Sequence, residues 1–444
     1  MQVLKFGGTS VGSAERMESV AKLVKNPAKK IVVLSAMSGT TDQLVKITKA
    51  LYEKLPDEAS HLIKELEQKY IDTVEKLYKS KESKKKGEEI ITEHFKLLRS
   101  FTPNKFSHRE ERIILAEGEL LSTTLFHHYL EEQKIPSVFL PALNFMRIDA
   151  DGEPDLAYIE EHLETELAKH PQGKLFITQG FICRNPLDEV DNLKRGGSDY
   201  TASLIGAAIR AEEIQIWTDI DGMHNNDPRI VSDTFPIPKL SFDEASELAY
   251  FGAKILHPFC IRPARKRNVP VRLLNTMQPT AKGTLISREP SGAEVTAIAA
   301  KDNITLIKII SKQEVMAYAF LRNVFEIFER YKTQIDLIAV AEVSVSLTID
   351  DTTYLENIMK ELEQLGTVNV EMKQTIICIV GSPAALAEHG CTSKIFHSLK
   401  DIPVGMISYG GSNNNICILV SAGNKKATLL ALNKALFARE TVNQ

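Results

Sequence analysis

Met1 to Phe6 reads as a short strand. It runs into Gly7-Gly8-Thr9-Ser10-Val11-Gly12-Ser13, after which Met17, Val20, Ala21 and Val24 recur at helical spacing over 14–25. Ile31 to Ala36 is an uninterrupted apolar run of the kind found in parallel sheets, and it ends in Ser38-Gly39-Thr40-Thr41-Asp42. Strand, glycine loop, helix and strand again make the βαβ rhythm of an α/β domain. The rhythm stops between 57 and 99, where Ile63, Leu66, Tyr70, Val74 and Leu77 predict an amphipathic helix. Lys79 to Glu89 is charge-dense and is expected to be a solvated helical-hairpin turn, with helix resuming over Ile90–Leu98. Ile113 to Tyr129 predicts another helix, and Gly118 inside it points to close packing or ligand approach, since glycine there costs about 1 kcal/mol. Further strands are expected at Val138–Leu140, Leu175–Ile182, Ile214–Asp219 and Val269–Leu274.

Beyond Glu289 short strands alternate with single helices, and an internal repeat emerges. Val324-Phe325 recurs 71 positions later as Ile395-Phe396, and Val345-Ser346-Leu347 recurs at the same offset as Ile416-Cys417-Ile418. Two copies of a βαββαβ unit are implied. Neither carries a convergent set of acids, bases and glycines.

The chain has 444 residues, 43% hydrophobic and 25% charged, which fits a soluble globular protein of about three domains. A net charge of −4 gives no basic field to recruit nucleic acid, and no apolar stretch is long enough to span a membrane. No signal-peptide pattern precedes the first strand, and the five cysteines form no CxxC pair. A cytoplasmic protein without disulfides or structural zinc is expected.

Candidate chemistry gathers in two glycine loops. Lys194-Arg195-Gly196-Gly197-Ser198-Asp199-Tyr200-Thr201 separates an apolar strand from an apolar helix. Paired glycines before a helix start turn backbone N–H groups toward an anion, and the helix dipole adds positive potential. A cation (Arg195) and an anion (Asp199) flank that nest, although a plain glycine loop capped by Ser198 would share the pattern. The second nest is Lys5-Phe6-Gly7-Gly8-Thr9-Ser10. The lysine precedes the glycines, so the pattern is not GxxxxGK[ST], and GxGxxG is absent too. Asp219, Asp221 and Gly222 resemble part of a calcium loop, but Trp217 and Pro228 would fall on ligand positions.

These loops resemble those of the aspartate kinases. Lys5-Phe6-Gly7-Gly8-Thr9-Ser10, Gly118-Glu119-Leu120, Gly196 to Ala202, Trp217-Thr218-Asp219 with Asp227-Pro228-Arg229, and Phe251-Gly252-Ala253-Lys254 match that family's motifs in order. The resemblance implies an α/β amino-acid-kinase (carbamate-kinase-like) three-layer αβα sandwich over 1–288, with a helical insertion over 57–129. Two βαββαβ ACT domains would follow at 296–370 and 371–444, the strand at 296–310 being open to assignment to the second. The implied reaction joins the ATP γ-phosphoryl group to the β-carboxylate of L-aspartate, the first step toward lysine, threonine and methionine. Its catalytic residues would be Lys5 and Asp199. Aspartate would meet Thr41, Glu119, Arg195, Gly196, Gly197 and Ser198, with Arg195 on the α-carboxylate and Glu119 on the α-ammonium. The nucleotide would meet Lys5, Gly7, Gly8, Thr218, Asp219, His224, Arg229, Lys254 and Ile255, and would carry Mg²⁺ whose protein ligands the resemblance leaves unassigned. Position 224 is often tyrosine in the family. No dinucleotide fingerprint follows the repeats, which speaks against a fused dehydrogenase. An amino-acid effector, lysine first and threonine second, is expected at Phe320, Leu321, Asp336 and Glu342. Ala317, Ala341, Glu314 and Ala319 depart from the family pattern there, so weakened lysine binding is expected. A homodimer or homotetramer through the ACT domains is expected as well. Two alternatives stay open: a kinase of the same fold acting on glutamate, acetylglutamate or a nucleotide, and a ligand sensor whose kinase half does not turn over.

Overall fold

The computed structural model describes residues 1–101, 106–193, 196–252, 257–312, 317–382, 386 and 390–437. In chain order the first half runs β1 (Gln2–Phe6), α1 (Ala14–Val24), β2 (Lys30–Leu34), α2 (Thr40–Tyr52), α3 (Pro56–Leu77), α4 (Lys81–Ser100), α5 (His108–Glu132), β3 (Val138–Phe139), α6 (Leu156–Ala168), β4 (Leu175–Gln179), β5 (Ile182–Arg184), β6 (Val190–Asn192) and α7 (Gly197–Ala208). It continues with β7 (Ile214–Thr218), β8 (Lys239–Ser241), α8 (Phe242–Tyr250), α9 (Pro258–Arg267), β9 (Val271–Asn275), β10 (Thr284–Ser287) and β11 (Val295–Ser311). The last part holds α10 (Ala317–Arg330), β12 (Ile338–Ala341), β13 (Ser344–Ile349), α11 (Leu355–Leu365), β14 (Gly366–Gly381), a helix at Cys391–Ser398, β15 (Met406–Tyr409), β16 (Asn415–Ser421) and a helix at Lys425–Phe437. The chain divides into two compact units, Met1–Met223 with Ile255–Glu289 and His224–Lys254 with Pro290–Gln444.

In the first unit the sheet runs β3-β4-β2-β1-β7-β9-β10. Neighbours are parallel from β3 to β9, and β10 is antiparallel to β9. The pleat of β1 sorts its side chains. Leu4 and Phe6 enter a core shared with α1, α2, α3 and α5, whereas Lys5 points to the face covered by α7. Helices therefore cover both faces of the sheet.

The helical insertion departs from expectation at its middle. Lys79–Glu89 is not a turn: α4 begins at Lys81, its start capped by the Ser80 hydroxyl, which accepts from Ser83 N at 3.0 Å. The Lys84-Lys85-Lys86 run stays helical because Glu75, Glu89 and Glu131 neutralise it, which leaves a solvated face as the charge pattern implies. The strand expected over Leu175–Ile182 is also broken. Phe181 takes a left-handed conformation (φ 66°), and its N–H donates to Thr201 Oγ1 of α7 at 2.9 Å. The chain leaves β4 there and forms the β5–β6 hairpin, which the sequence pattern did not reveal.

The second unit contains one antiparallel sheet in the order β12-β13-β11-β14-β16-β15. Its two long strands, β11 and β14, each serve two cores. Ile307 and Ile309 pack with α10, β13 and α11. Ile298, Ile377 and Ile379 pack with β16 and the helices at 391–398 and 425–437. The 71-residue repeat is visible in three dimensions: Val324 and Ile395 are buried equivalents, as are Leu347 and Ile418. The first half of β11 completes the second core, not the first.

Because both cores are strung on the same two strands, damage to one should reach the other. Leu347→Ala removes fully buried apolar volume and should cost about 2–5 kcal/mol. Amide hydrogen exchange should then show lost protection in β16 as well as β13; loss confined to β13 would mean that the cores unfold independently.

Candidate active site

The loops that leave the carboxyl ends of β1, β2, β4 and β7 meet, the usual place for a ligand in a mainly parallel α/β sheet. Ser35 N donates to Phe6 O at 3.1 Å, Gly180 N to Leu34 O at 2.9 Å and Gly7 N to Trp217 O at 3.4 Å. These bonds bring the loop after β1 between its neighbours.

Lys5 Nζ lies 2.6 Å from Asp199 Oδ1, with both side chains largely shielded from water. Asp199 is in the first turn of α7 because Gly196 and Gly197 take left-handed conformations, at φ 74° and 45°. No side chain caps this helix; the N-cap is Gly196, and Ser198 is a buried helical residue rather than the cap. That leaves the α7 N-terminal amides unsatisfied by the helix itself. At the other nest the ammonium of Lys5 sits over Gly7, where an added Cβ would come within 3.2 Å of it. One ion pair thus joins the two glycine loops.

Glu119 projects from α5 into the same region. One carboxylate oxygen accepts from Ala36 N at 3.1 Å, while Oε2 is buried with no hydrogen-bond partner. Burial pushes this carboxyl up to about 8, partly offset by the Ala36 N–H and the charge of Lys5. Gly118 is explained by packing: a Cβ there would meet the Ala36 Cβ at 2.8 Å, so α5 closes directly on the loop that holds Glu119. Thr41 lies exposed in the first turn of α2. At the end of β7, Thr218 Oγ1 donates to Asp219 Oδ1 at 3.1 Å.

Lys5, Gly7, Gly8, Thr41, Glu119, Gly196, Gly197, Ser198, Asp199, Thr218 and Asp219 all belong to the first unit. Arg195, Lys254 and Ile255 lie outside the described residues. His224 and Arg229 belong to the second unit, where His224 Nδ1 is 3.1 Å from Thr234 Oγ1. Arg229 is exposed and forks onto Asp227 at 2.9 and 2.7 Å. The segment carrying these two residues is tied to the ACT cores. Glu247 accepts from Asn415 at 2.6 Å and Ser412 at 2.7 Å, and Glu244 accepts from Ser291 and Thr296 at 2.6 Å.

Among the candidate effector residues, Phe320 and Leu321 are the fourth and fifth described residues of α10, and the Phe320 side chain is core. Glu342 is exposed in the turn between β12 and β13. Asp336 is buried and engaged by its own chain: Lys301 Nζ lies 2.6 Å away and the Tyr250 hydroxyl donates at 2.7 Å. Lys301 also pairs with Asp350 at 2.8 Å and lies 4.6 Å from the Tyr250 ring centroid. The sequence offered no sign of Lys301 as the partner, nor of Lys69, which reaches Ser38 from the insertion.

Two partly buried glycine nests joined by a fixed cation, beside a buried carboxyl with an unpartnered oxygen, make a site of the class that handles anions and amines together. Comparison agrees: residues 1–275 match the amino acid kinase family, and residues 377–436 match an ACT domain. Aspartokinase 3, chloroplastic, of Arabidopsis thaliana is 35% identical over 99% of this chain and 82% of its own length. The crystal structure of Escherichia coli aspartokinase III in complex with aspartate and ADP (R-state) is 32% identical, covers 98% of this chain and 100% of that one, and superposes with a TM-score of 0.86. The structure of the same E. coli enzyme with lysine and aspartate (T-state) superposes at 0.81, covering 98% and 99%. The chain belongs to the aspartokinases.

The shifted carboxyl makes a stability prediction. An acid held at about 8 in the fold but near 4.5 when unfolded keeps its proton longer in the folded state, so stability is lost as pH rises between those values. Glu119→Gln should therefore gain melting temperature over wild type progressively from pH 5 to pH 8 without ligands. A constant difference across that range would show that Glu119 is ionised in the fold.

Proposed function

We propose that this protein transfers the γ-phosphoryl group of ATP to the β-carboxylate of L-aspartate, giving 4-phospho-L-aspartate and ADP. The observation that carries the reading is the Lys5 ammonium held over Gly7 by Asp199 at 2.6 Å. A carboxylate with an ordinary value of about 3.9 is already ionised at neutral pH, so no general base is required. One of its oxygens forms the new bond to the γ-phosphorus as the bond to the β-phosphate oxygen breaks and ADP leaves with that electron pair. The task is to hold two anions together and offset their repulsion.

Lys5 with the Gly8 amide would take the β- and γ-phosphates, Gly7 would line them by close backbone approach while its N–H stays on the Trp217 carbonyl, and Asp199 would orient Lys5. Glu119 would receive the α-ammonium on its unpartnered oxygen, the charge of the substrate drawing its proton off. Arg195 would fork onto the α-carboxylate, with Thr41, Ser198 and the Gly196 and Gly197 amides supplying hydrogen bonds. Thr218, Asp219, His224, Arg229, Lys254 and Ile255 would line the nucleotide. Mg²⁺ would arrive on the phosphates; among the described residues no group of three or more His, Cys, Asp or Glu side chains is placed to hold a metal ion. Glutamate would place its side-chain carboxylate one methylene farther from the same ammonium and carboxylate contacts, and acetylglutamate has no ammonium for Glu119 to receive.

The ACT domains would carry feedback control by lysine or, second, threonine. In the present conformation Lys301 and Tyr250 both take Oδ1 of the acid that an effector amine would need, while its Oδ2 is buried without a hydrogen-bond partner. Apolar side chains exposed on the edge strands β12 and β15, Val340 and Tyr409 among them, support assembly of a homodimer or homotetramer through these domains. No described helix is long and apolar enough to cross a membrane, and a cytoplasmic location is part of the same reading.

Steady-state ADP release tests the reaction. It should depend on aspartate, and Lys5→Ala should lower kcat by at least about 10²-fold in a folded protein. Equal turnover on glutamate, or near-normal kcat in Lys5→Ala, would refute the reading. Lysine inhibition curves test the effector site: Asp336→Asn should abolish inhibition, and Lys301→Met should lower the half-inhibiting concentration about tenfold, the scale of one charge-assisted hydrogen bond. Unchanged curves in both variants would remove Asp336 from effector binding.

A further inference from the structure

We infer that Lys69, on the helical insertion, is a positioning residue for aspartate: it holds the turn at 35–39 and the start of α2, with Thr41 in it, against the first glycine nest. The inference rests on the placement of aspartate proposed above.

The insertion helix α3 presents an apolar face of Ile63, Leu66, Tyr70 and Val74 to the core. Its polar residues do something more specific. Gln43 Nε2 donates to Glu65 Oε2 at 3.2 Å, Lys69 Nζ donates to the Ser38 carbonyl at 2.5 Å, and the Tyr70 and Thr40 hydroxyls lie 3.2 Å apart. Glu65 and Lys69 are one helical turn apart, and the three contacts bracket Thr41 on both sides. The start of α2 has little support of its own, since its N-cap is Gly39 in a left-handed conformation with no side-chain cap.

Ser38 is the pivot. Its N–H donates to Gly8 O at 3.2 Å while its carbonyl accepts from Lys69. Two residues earlier, Ala36 N holds Glu119. The turn that Lys69 grips therefore touches both the phosphate nest and the proposed ammonium acceptor. A cavity of about 400 Å³ lies beside this contact, lined by Gly12 and Ser13 and by Glu65, Lys69, Asp72 and Lys76. Partial burial holds the ammonium below the usual lysine value, a cost that a purely amphipathic helix would avoid with a neutral side chain.

Steady-state kinetics of Lys69→Met, Lys69→Arg and Glu119→Gln test this, with ATP and aspartate titrated separately. Lys69→Met should raise KM for aspartate about tenfold while KM for ATP and kcat change less than about threefold, and Lys69→Arg should restore most of the loss. A silent Lys69→Met beside a raised aspartate KM in Glu119→Gln would overturn the role of Lys69 alone. Equal rises in both KM values with a lowered melting temperature and no rescue by arginine would mark Lys69 as merely structural. If Glu119→Gln leaves the aspartate KM unchanged, the placement of aspartate fails and the role of Lys69 fails with it.

Discussion

The ion pair between Lys5 and Asp199 is the constraint on which the catalytic unit depends. Its cation comes from the one charged position in a mainly apolar strand, and its anion from the first turn of a helix that begins more than 190 residues later. For the two to meet, β1 must lie between β2 and β7, its pleat must turn residue 5 toward α7, and two glycines must adopt conformations that other residues resist. The break in the β4 strand follows from the same demand, because Phe181 bends toward Thr201 and so seats the start of α7. A lysine with three donors and one carboxylate partner keeps donors available for phosphate oxygens.

A second arrangement concerns the stretch 224–254. It carries two of the proposed nucleotide contacts and leads into the Phe251-Gly252-Ala253-Lys254 motif, yet its own anchors are on the ACT cores. Tyr250, at the end of α8, shares Asp336 with Lys301. An amine that displaced Lys301 from Asp336 would also disturb Tyr250, four residues before Lys254. Regulation would then need no distant relay, since the acid proposed for the effector already touches Tyr250, which directly precedes the Phe251-Gly252-Ala253-Lys254 motif.

Much of this was legible in the sequence, for definable reasons. Strands of the first unit are buried on both faces and read as continuous apolar runs, and the glycine nests announce themselves by composition. The 71-residue repeat exposes the paired ACT domains because each copy needs the same buried positions, such as Val324 and Ile395. What stayed hidden was set by contacts between distant residues. The helix over most of Lys79–Glu89 was obscured by its charge: Ser80 and Glu89 support it locally, but Lys84 and Lys86 are balanced only by Glu75 and Glu131 on neighbouring helices. Lys69 looks like any solvated lysine on an amphipathic helix until the Ser38 carbonyl is placed before it. Lys301 likewise becomes visible only when β11 sets it beside Asp336.

If Lys5 and the glycine nests bring a γ-phosphoryl group onto the β-carboxylate of aspartate without a general base, an aspartate oxygen must bridge to the transferred phosphorus. Phosphorus NMR of the products formed from ATP and aspartate carrying ¹⁸O in its β-carboxyl group tests it most directly. The product should be an acyl phosphate whose signal shows the isotope shift of a labelled bridging oxygen, formed in equal amount with ADP. Inorganic phosphate alone, or an acyl phosphate without label at the bridge, would contradict it.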